Sequence, residues 1–192
     1  MEKHIPIEKH ILELIVGGSV GIFPTDTLYG IVGSALNSGS VERIYQLRKR
    51  EFHKPLIVLI NDIKDLERFS VHLSAQQQAV LEKLWPAQVS VILDCSDEKM
   101  RHLHRGGGTI AFRMPKQEWL REFIRKTGPL VAPSANISGE KPAESITEAR
   151  AYFGDEVDFY VDRGTMCSDP STLIRLKQDG SFAILRHGAV NL

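Results

Sequence analysis

Two short stretches, "PTDTLYG" at residues 24–30 and "PSANISG" at 133–139, carry side chains that could do chemistry. Each follows an apolar run, "SVGIF" in the first case and "PLVA" in the second. At a proline each exchanges that run for small polar groups: Thr25, Asp26 and Thr27, then Ser134, Asn136 and Ser138. Such groups hydrogen-bond a polar ligand, or they satisfy a turn or cap a helix from within the chain, and local sequence leaves both readings open. In open α/β sheets ligands gather beyond the carboxyl ends of strands, so two stretches of this kind point to a site more strongly than one.

Cations supply the complement. Val41, Ile44, Tyr45 and Arg48 recur at i, i+3, i+4 and i+7 of a predicted helix over 41–48. That period puts Arg48 on the buried face and Lys49 on the wet one with Glu42 and Gln46. A buried guanidinium needs an anion or several acceptors; the other reading is an arginine snorkelling near a helix C-terminus. Arg50 and Lys54 follow within "RKREFHK" and converge on the same region. In "TIAFRMP" the strand period places Thr109, Ala111 and Arg113 on one face, with Thr109 and Arg113 ~13 Å apart at ~3.3 Å per residue. That spacing lines one elongated pocket, and an edge strand with one wet face would show the same alternation.

Several other chemistries leave no trace. The chain has no G-x-x-x-x-G-K-[ST] phosphate loop, no G-x-G-x-x-G, no H-E-x-x-H and no G-x-S-x-G elbow. Gly106, Gly107 and Gly108 read as a flexible turn. His102 and His104 fall in "KMRHLHR", read as an exposed basic loop without the further ligands a metal needs, so no metal site is assigned.

The elements that must position these groups alternate between helix and strand. Helical periods are expected at 8–16, at 41–48 with Ser40 as a candidate cap, and at 62–69, 75–84, 117–126 and 143–152. Strands are expected at "SVGIF", "PLIVLI", "VSVILD", "TIAFRM", "PLVA", "VDFYVD", "STLIRL" and "FAILR". The last three follow one another through short connections, which requires a mixed sheet flanked by helices in an α/β fold. No repeat or linker-like stretch divides residues 1–192, so one domain is expected. Composition agrees with an ordinary globular protein, at 42% hydrophobic and 25% charged residues. No apolar run reaches membrane-spanning length, and Glu2, Glu8 and Glu13 interrupt the place a signal peptide would occupy, so neither membrane nor export is expected. Cys95 and Cys167 stand far apart without a Cys-x-x-Cys, which fits a reducing cytoplasm. With 24 basic and 24 acidic residues the chain carries no net charge, so wholesale nucleic-acid binding is not expected from charge alone.

Taken in order, "PTDTLYG", "LRKREFHKPLIVL", "LWPAQVSVIL", "TIAFRMP", "PLVAPSANISGEKP", "STLI" and "ILRHGAV" resemble the YrdC/TsaC family of threonylcarbamoyl-AMP synthases over about residues 10–190. The resemblance implies a single α/β domain whose twisted mixed sheet surrounds a positively charged cavity. It also implies a nucleotidyltransferase that converts L-threonine, bicarbonate and ATP, with Mg2+ on the nucleotide, into threonylcarbamoyl-adenylate and pyrophosphate for the t6A modification of tRNA. Carried over by position, Arg48 and Arg50 match the K-x-R element, Lys54 the lysine of K-P-L, and Ser134 and Asn136 the S-x-N element; Arg48, Arg50, Ser134 and Asn136 are the implied catalytic set. Thr109 and Arg186, with those four and Lys54, are implied at ATP, and Thr25, Arg113 and Ser171 at threonine. Implied partners beyond small molecules are tRNA or double-stranded RNA and other proteins of the t6A pathway, and an RNA-binding role without turnover is the alternative function. The chain departs from the family pattern at Arg48, a fork where a lysine is usual, and at Glu51, Leu59, Ala87, Gln88 and Ala143.

Overall fold

The computed structural model describes residues 9–51 and 56–192. Strands form at the short apolar runs: β1 (Gly21–Pro24), β2 (Tyr29–Ser34), β3 (Ile57–Leu59), β4 (Val89–Asp94), β5 (Thr109–Arg113), β6 (Leu130–Val131), β7 (Phe159–Tyr160), β8 (Thr172–Leu176) and β9 (Phe182–Arg186). They make one sheet in the order β7-β1-β2-β6-β3-β5-β4-β8-β9. The β1–β7, β3–β5 and β4–β8 pairs are parallel and the others antiparallel, so the expected mixed sheet is present.

Helices α1 (Lys9–Val16), α2 (Ser38–Leu47), α3 (Ala75–Leu84), α4 (Arg101–His104), α5 (Glu118–Thr127) and α6 (Ile146–Phe153) flank it, with 3-10 segments at Ile63–Phe69 and Glu98–Met100. Their periodic apolar residues divide between two cores. On one face Ile22, Ile31, Val58, Val131, Phe112 and Val91 pack under α2, α3, α6 and the Ile63–Phe69 segment. On the other, Phe23, Val32, Leu59, Leu130 and Ala132 pack under Ile11 and Ile15 of α1 and Trp119, Leu120, Phe123 and Ile124 of α5. This second core stops at β3. Beyond it, Ile92 and Thr109 are only half-buried and Asp94 and Arg175 are exposed, so α1 and α5 leave the β5-β4-β8-β9 half of that face open. Among the described residues no helix is long and apolar enough to cross a membrane.

Three expectations change. Helix α2 is capped by Asn37, whose Oδ1 accepts from the Ser40 backbone N–H at 3.0 Å. Ser40 lies inside the helix, buried, and its hydroxyl donates to the Gly18 carbonyl at 2.7 Å. Strand β2 is not among the expected strands: "YGIVGS" is buried on both faces and rich in glycine, so it shows no alternation. The "KMRHLHR" stretch is no exposed loop: it folds into a 3-10 turn and α4, with Leu103 and His104 buried. His104 Nδ1 accepts from the Gly106 N–H at 3.1 Å, which ties the ring to the turn that follows.

Asp158 joins β1 to α2, accepting from the Val20 N–H at 2.7 Å and from both terminal nitrogens of Arg43, at 2.5 and 3.1 Å. Burial pushes its carboxyl up, but the Arg43 and Val20 bonds outweigh that and hold it below the ordinary aspartate range. A carboxyl depressed in the folded state stabilises the fold fully above its unfolded pKa, about 3.9, and loses that contribution as pH falls through the lower folded value. Asp158→Asn is therefore expected to lower the melting temperature at pH 7. The gap from the parent should narrow progressively as pH falls below about 3.9, read by thermal melts across pH.

Candidate active site

Strands β1 and β6 run parallel with β2 antiparallel between them, so the carboxyl ends that lead into the two polar stretches lie together. The first stretch is a tight β1–β2 turn and caps no helix. The Thr25 hydroxyl donates to the Leu28 carbonyl at 2.7 Å and accepts from the Thr27 N–H at 3.2 Å. The second stretch extends β6 alongside β2. Ile31 N–H donates to the Pro133 carbonyl at 3.0 Å, Ala135 N–H to the Tyr29 carbonyl at 2.8 Å, and Ser134 bridges Gly30. The strand period carries Leu130, Ala132 and Ser134 onto the α1/α5 face. Gly30 lets the two stretches approach closely at this junction: a Cβ there would stand 3.1 Å from Thr25 Cγ2 and 3.3 Å from the Pro133 carbonyl, so either neighbour would have to shift by a few tenths of an ångström.

These turns wall a cavity of about 370 Å3, whose lining includes Thr25, Arg113, Ser134, Ser171 and Arg186. Five residues singled out in the sequence thus converge. Arg113 arrives differently from the first two stretches, because β5 runs antiparallel to β6 through β3, and its side chain reaches the cavity across the face of the twisted sheet. There it forms a buried ion pair, Nη2 to Asp26 Oδ1 at 2.8 Å. Ser171 is 2% exposed. Its hydroxyl is 2.8 Å from that of Ser90, and its carbonyl accepts from Arg186 Nη2 at 2.8 Å. Burial and the charge of Arg113 both lower the Arg186 pKa, so the two guanidinium groups feel one another. Lys141 and Glu144, paired at 2.7 Å, line the cavity as well, and Ser168 straps the mouth to the turn by donating to the Thr27 carbonyl at 2.7 Å.

Arg48 is buried, as its helical phase requires, and terminates α2. It spends its donors on the second stretch: Nε donates to the Asn136 carbonyl at 3.0 Å, and Nη2 to Asn136 Oδ1 at 3.0 Å and to Ser134 Oγ at 3.4 Å. Burial, and then the charge of Arg50, lower its pKa to about 10, so it stays a cation at neutral pH. Arg50 is half-buried, and burial lowers its pKa too. Asn136 uses its whole side-chain capacity within the chain. Its Oδ1 also accepts from Ser134 Oγ at 2.7 Å, and its Nδ2 donates to the Ile137 and Glu140 carbonyls, each at 2.8 Å. Ser134, with its proton given to Asn136, faces the cavity as an acceptor.

Not every expected residue reaches this cavity. Arg48 and Asn136 sit behind Ser134 and hold it, and Arg50 does not line the cavity. Thr109 opens β5 at the far end from Arg113, on the open half of the sheet, and does not line the cavity, so the two do not share one pocket. Lys54 lies outside the described residues. Sequence marks Asp26 as a polar group of the first stretch but not its pairing with Arg113, and it marks neither Gln88 nor Ser90 as a site residue, since the partners Arg113, Asp26 and Ser171 lie 62 or more positions away in the chain. Among the described residues no group of three His, Cys, Asp or Glu side chains could hold a metal.

Gly188 keeps Ser171 and Arg186 in place. A Cβ there would stand 2.1 Å from the Pro170 carbonyl oxygen and 2.7 Å from the Ser171 carbonyl carbon, both backbone atoms that cannot swing aside. Gly188→Ala is expected to cost about 1–3 kcal/mol of stability by overpacking and to weaken ligand binding in the cavity. Chemical denaturation and calorimetry on the same protein check both.

The fold and site define a class: an α/β protein whose mixed sheet carries an arginine- and hydroxyl-lined cavity suited to a small anionic ligand. The Sua5–YciO–YrdC family model, described as "Telomere recombination", matches residues 13–188, and the chain belongs to that family. A protein of Methanocaldococcus jannaschii is 30% identical over 187 residues, covering 95% of this chain and 87% of that one. The threonylcarbamoyl-AMP synthase of Bacillus subtilis is 35% identical over 180 residues, covering 92% of this chain and 52% of that one. The crystal structure of Pyrococcus abyssi Sua5 complexed with L-threonine superposes with a TM-score of 0.84 at 29% identity, covering 93% of this chain and 53% of that one. The chain thus spans about half the length of the Bacillus and Pyrococcus proteins.

Proposed function

We propose that the chain is a threonylcarbamoyl-AMP synthase, joining L-threonine, bicarbonate and ATP into threonylcarbamoyl-adenylate with release of pyrophosphate. The observation that carries this reading is the convergence of Arg113, Ser171, Arg186 and Thr25 on one cavity from four separate strands and turns. Relatives named as this synthase, and a relative complexed with L-threonine, support it.

At about 370 Å3 the cavity is near the lower end of the ~300–1,000 Å3 typical of small-molecule sites. It takes an amino acid, and the nucleotide extends from Ser134 past Arg186 toward Thr109 and the open half of the sheet. In the reaction the threonine amine and bicarbonate form a carbamate, an N–C bond made as a C–O bond breaks and water leaves, and a carbamate oxygen is presented to the α-phosphorus of ATP. The new O–P bond forms as the bond to the β-phosphate bridging oxygen breaks, and pyrophosphate leaves with that electron pair. No protein nucleophile is needed, because alignment and cationic stabilisation supply the catalysis. Arg113 and Ser171 hold the amino acid; Arg48, Arg50, Lys54 and Arg186 offset phosphate charge, directly or through Ser134. The described residues offer no carboxylate cage for magnesium, which enters on the phosphates as part of the substrate. The product serves t6A formation on tRNA. We place the protein in the cytoplasm, where the free thiols of Cys95 and Cys167 are at home.

Calorimetric titration with L-threonine, L-serine and L-valine tests the assignment. Threonine is expected to bind at least ~10-fold more tightly than valine, because a site built to hydrogen-bond a hydroxyl leaves polar groups unpaired when the hydroxyl is missing. Equal binding of all three would remove the threonine assignment, and binding of none would remove the amino-acid reading.

A further inference from the structure

The carboxylate of Asp26 is fully buried, lies behind the cavity wall and faces Arg113. The pair is close at 2.8 Å, yet neither Asp26 oxygen receives an aligned hydrogen bond and Arg113 Nε has no acceptor. A guanidinium held by charge at that distance, with its N–H groups pointing elsewhere, keeps those donors for a second acceptor. Arg113 lines the cavity, so the second acceptor is a ligand.

Asp26 is itself held. Its backbone sits in the turn closed by the Thr25 hydroxyl, and its carbonyl accepts from the Gln88 side-chain amide. The Gln88 carbonyl in turn accepts from the Thr172 N–H at 3.1 Å, next to Ser171. Gln88 therefore clamps the Thr25 turn to the strand that carries Ser171, two walls of the same cavity. Charge completes the picture: Arg113 and Arg186 bring two positive charges and Asp26 one negative, leaving one to be met by a ligand.

We propose that Asp26, fixed by the Gln88 clamp, is a positioning residue that aims Arg113 at the carboxylate of the amino-acid substrate. Asp26 touches no substrate; it acts through Arg113. The inference rests on the synthase reading, since it takes the ligand of Arg113 to be an amino-acid carboxylate.

The test is L-threonine affinity by calorimetry on the parent, Asp26→Asn and Gln88→Ala, with the cap variant Asn37→Ala as a control for lost stability alone. Asp26→Asn is expected to raise the threonine Kd at least ~10-fold and Gln88→Ala about threefold. ATP affinity should stay within about twofold in both, and Asn37→Ala should leave the threonine Kd unchanged. If Asp26→Asn fails to fold, Gln88→Ala decides, because it removes no charge. Threonine affinities within twofold of the parent in the folded variants would overturn the proposal while leaving the synthase reading intact. A parent protein that binds no threonine would overturn both.

Discussion

Arg113→Ala is expected to lower kcat/KM for threonine by about 10³-fold or more, corresponding to ~4 kcal/mol of transition-state stabilisation. Two losses act together. The cavity loses the group assigned to the substrate carboxylate, and Asp26 is left as a buried charge whose ion-pair partner is gone. The second loss alone is expected to cost about 3–5 kcal/mol of folding stability. Arg113→Ala/Asp26→Asn separates them: removing the orphaned charge should restore much of the stability and none of the activity. Steady-state kinetics and urea unfolding on the single and double variants give both numbers, and a single variant of parental activity would show that Arg113 faces the cavity without serving the reaction.

Arg48→Ala is expected to have the next largest effect, through the loop and not through a missing ligand contact. Its guanidinium satisfies the Asn136 carbonyl, Asn136 Oδ1 and Ser134 Oγ. Truncation strands the Asn136 carbonyl, at about 1–3 kcal/mol, and leaves Asn136 Oδ1 with Ser134 as its one donor. The wall that presents Ser134 should slacken, so nucleotide affinity and stability fall together. Lys49→Ala is the control: the residue is exposed, and a change within about 0.5 kcal/mol is expected. Asn136→Ala should resemble Arg48→Ala, since all four of its side-chain bonds are internal. Ser134→Ala should differ, lowering turnover more than stability, because Ser134 alone of the three lines the cavity.

Local physics was enough to read much of this from sequence. The inward face of Arg48 follows from helical period, and the Thr109/Ala111/Arg113 face from strand period; both appear as expected. Most strands were legible because short apolar runs between turn residues have few alternatives. Strand β2 was not, since "YGIVGS" is enclosed on both sides and lacks the period that marks a half-buried strand. The partners that hold the site were also hidden. Asp26 meets Arg113, Gln88 meets Asp26 and Ser90 meets Ser171 only after the sheet has formed, and nothing in a window of ten residues encodes such pairs. The Ser134/Asn136 stretch shows why the sequence supports two readings: Asn136 builds the turn from within the chain, whereas Ser134 lines the cavity, where the proposed function assigns it a ligand.

Direct detection of the product tests whether this cavity joins an amino acid to a nucleotide. The purified protein, given ATP, magnesium, bicarbonate and L-threonine, is expected to release one pyrophosphate for each threonylcarbamoyl-adenylate identified by mass spectrometry. Omitting threonine, bicarbonate or ATP should abolish both products. Pyrophosphate release that does not depend on threonine, or no adenylate under any of these conditions from protein shown to be folded, would contradict the account.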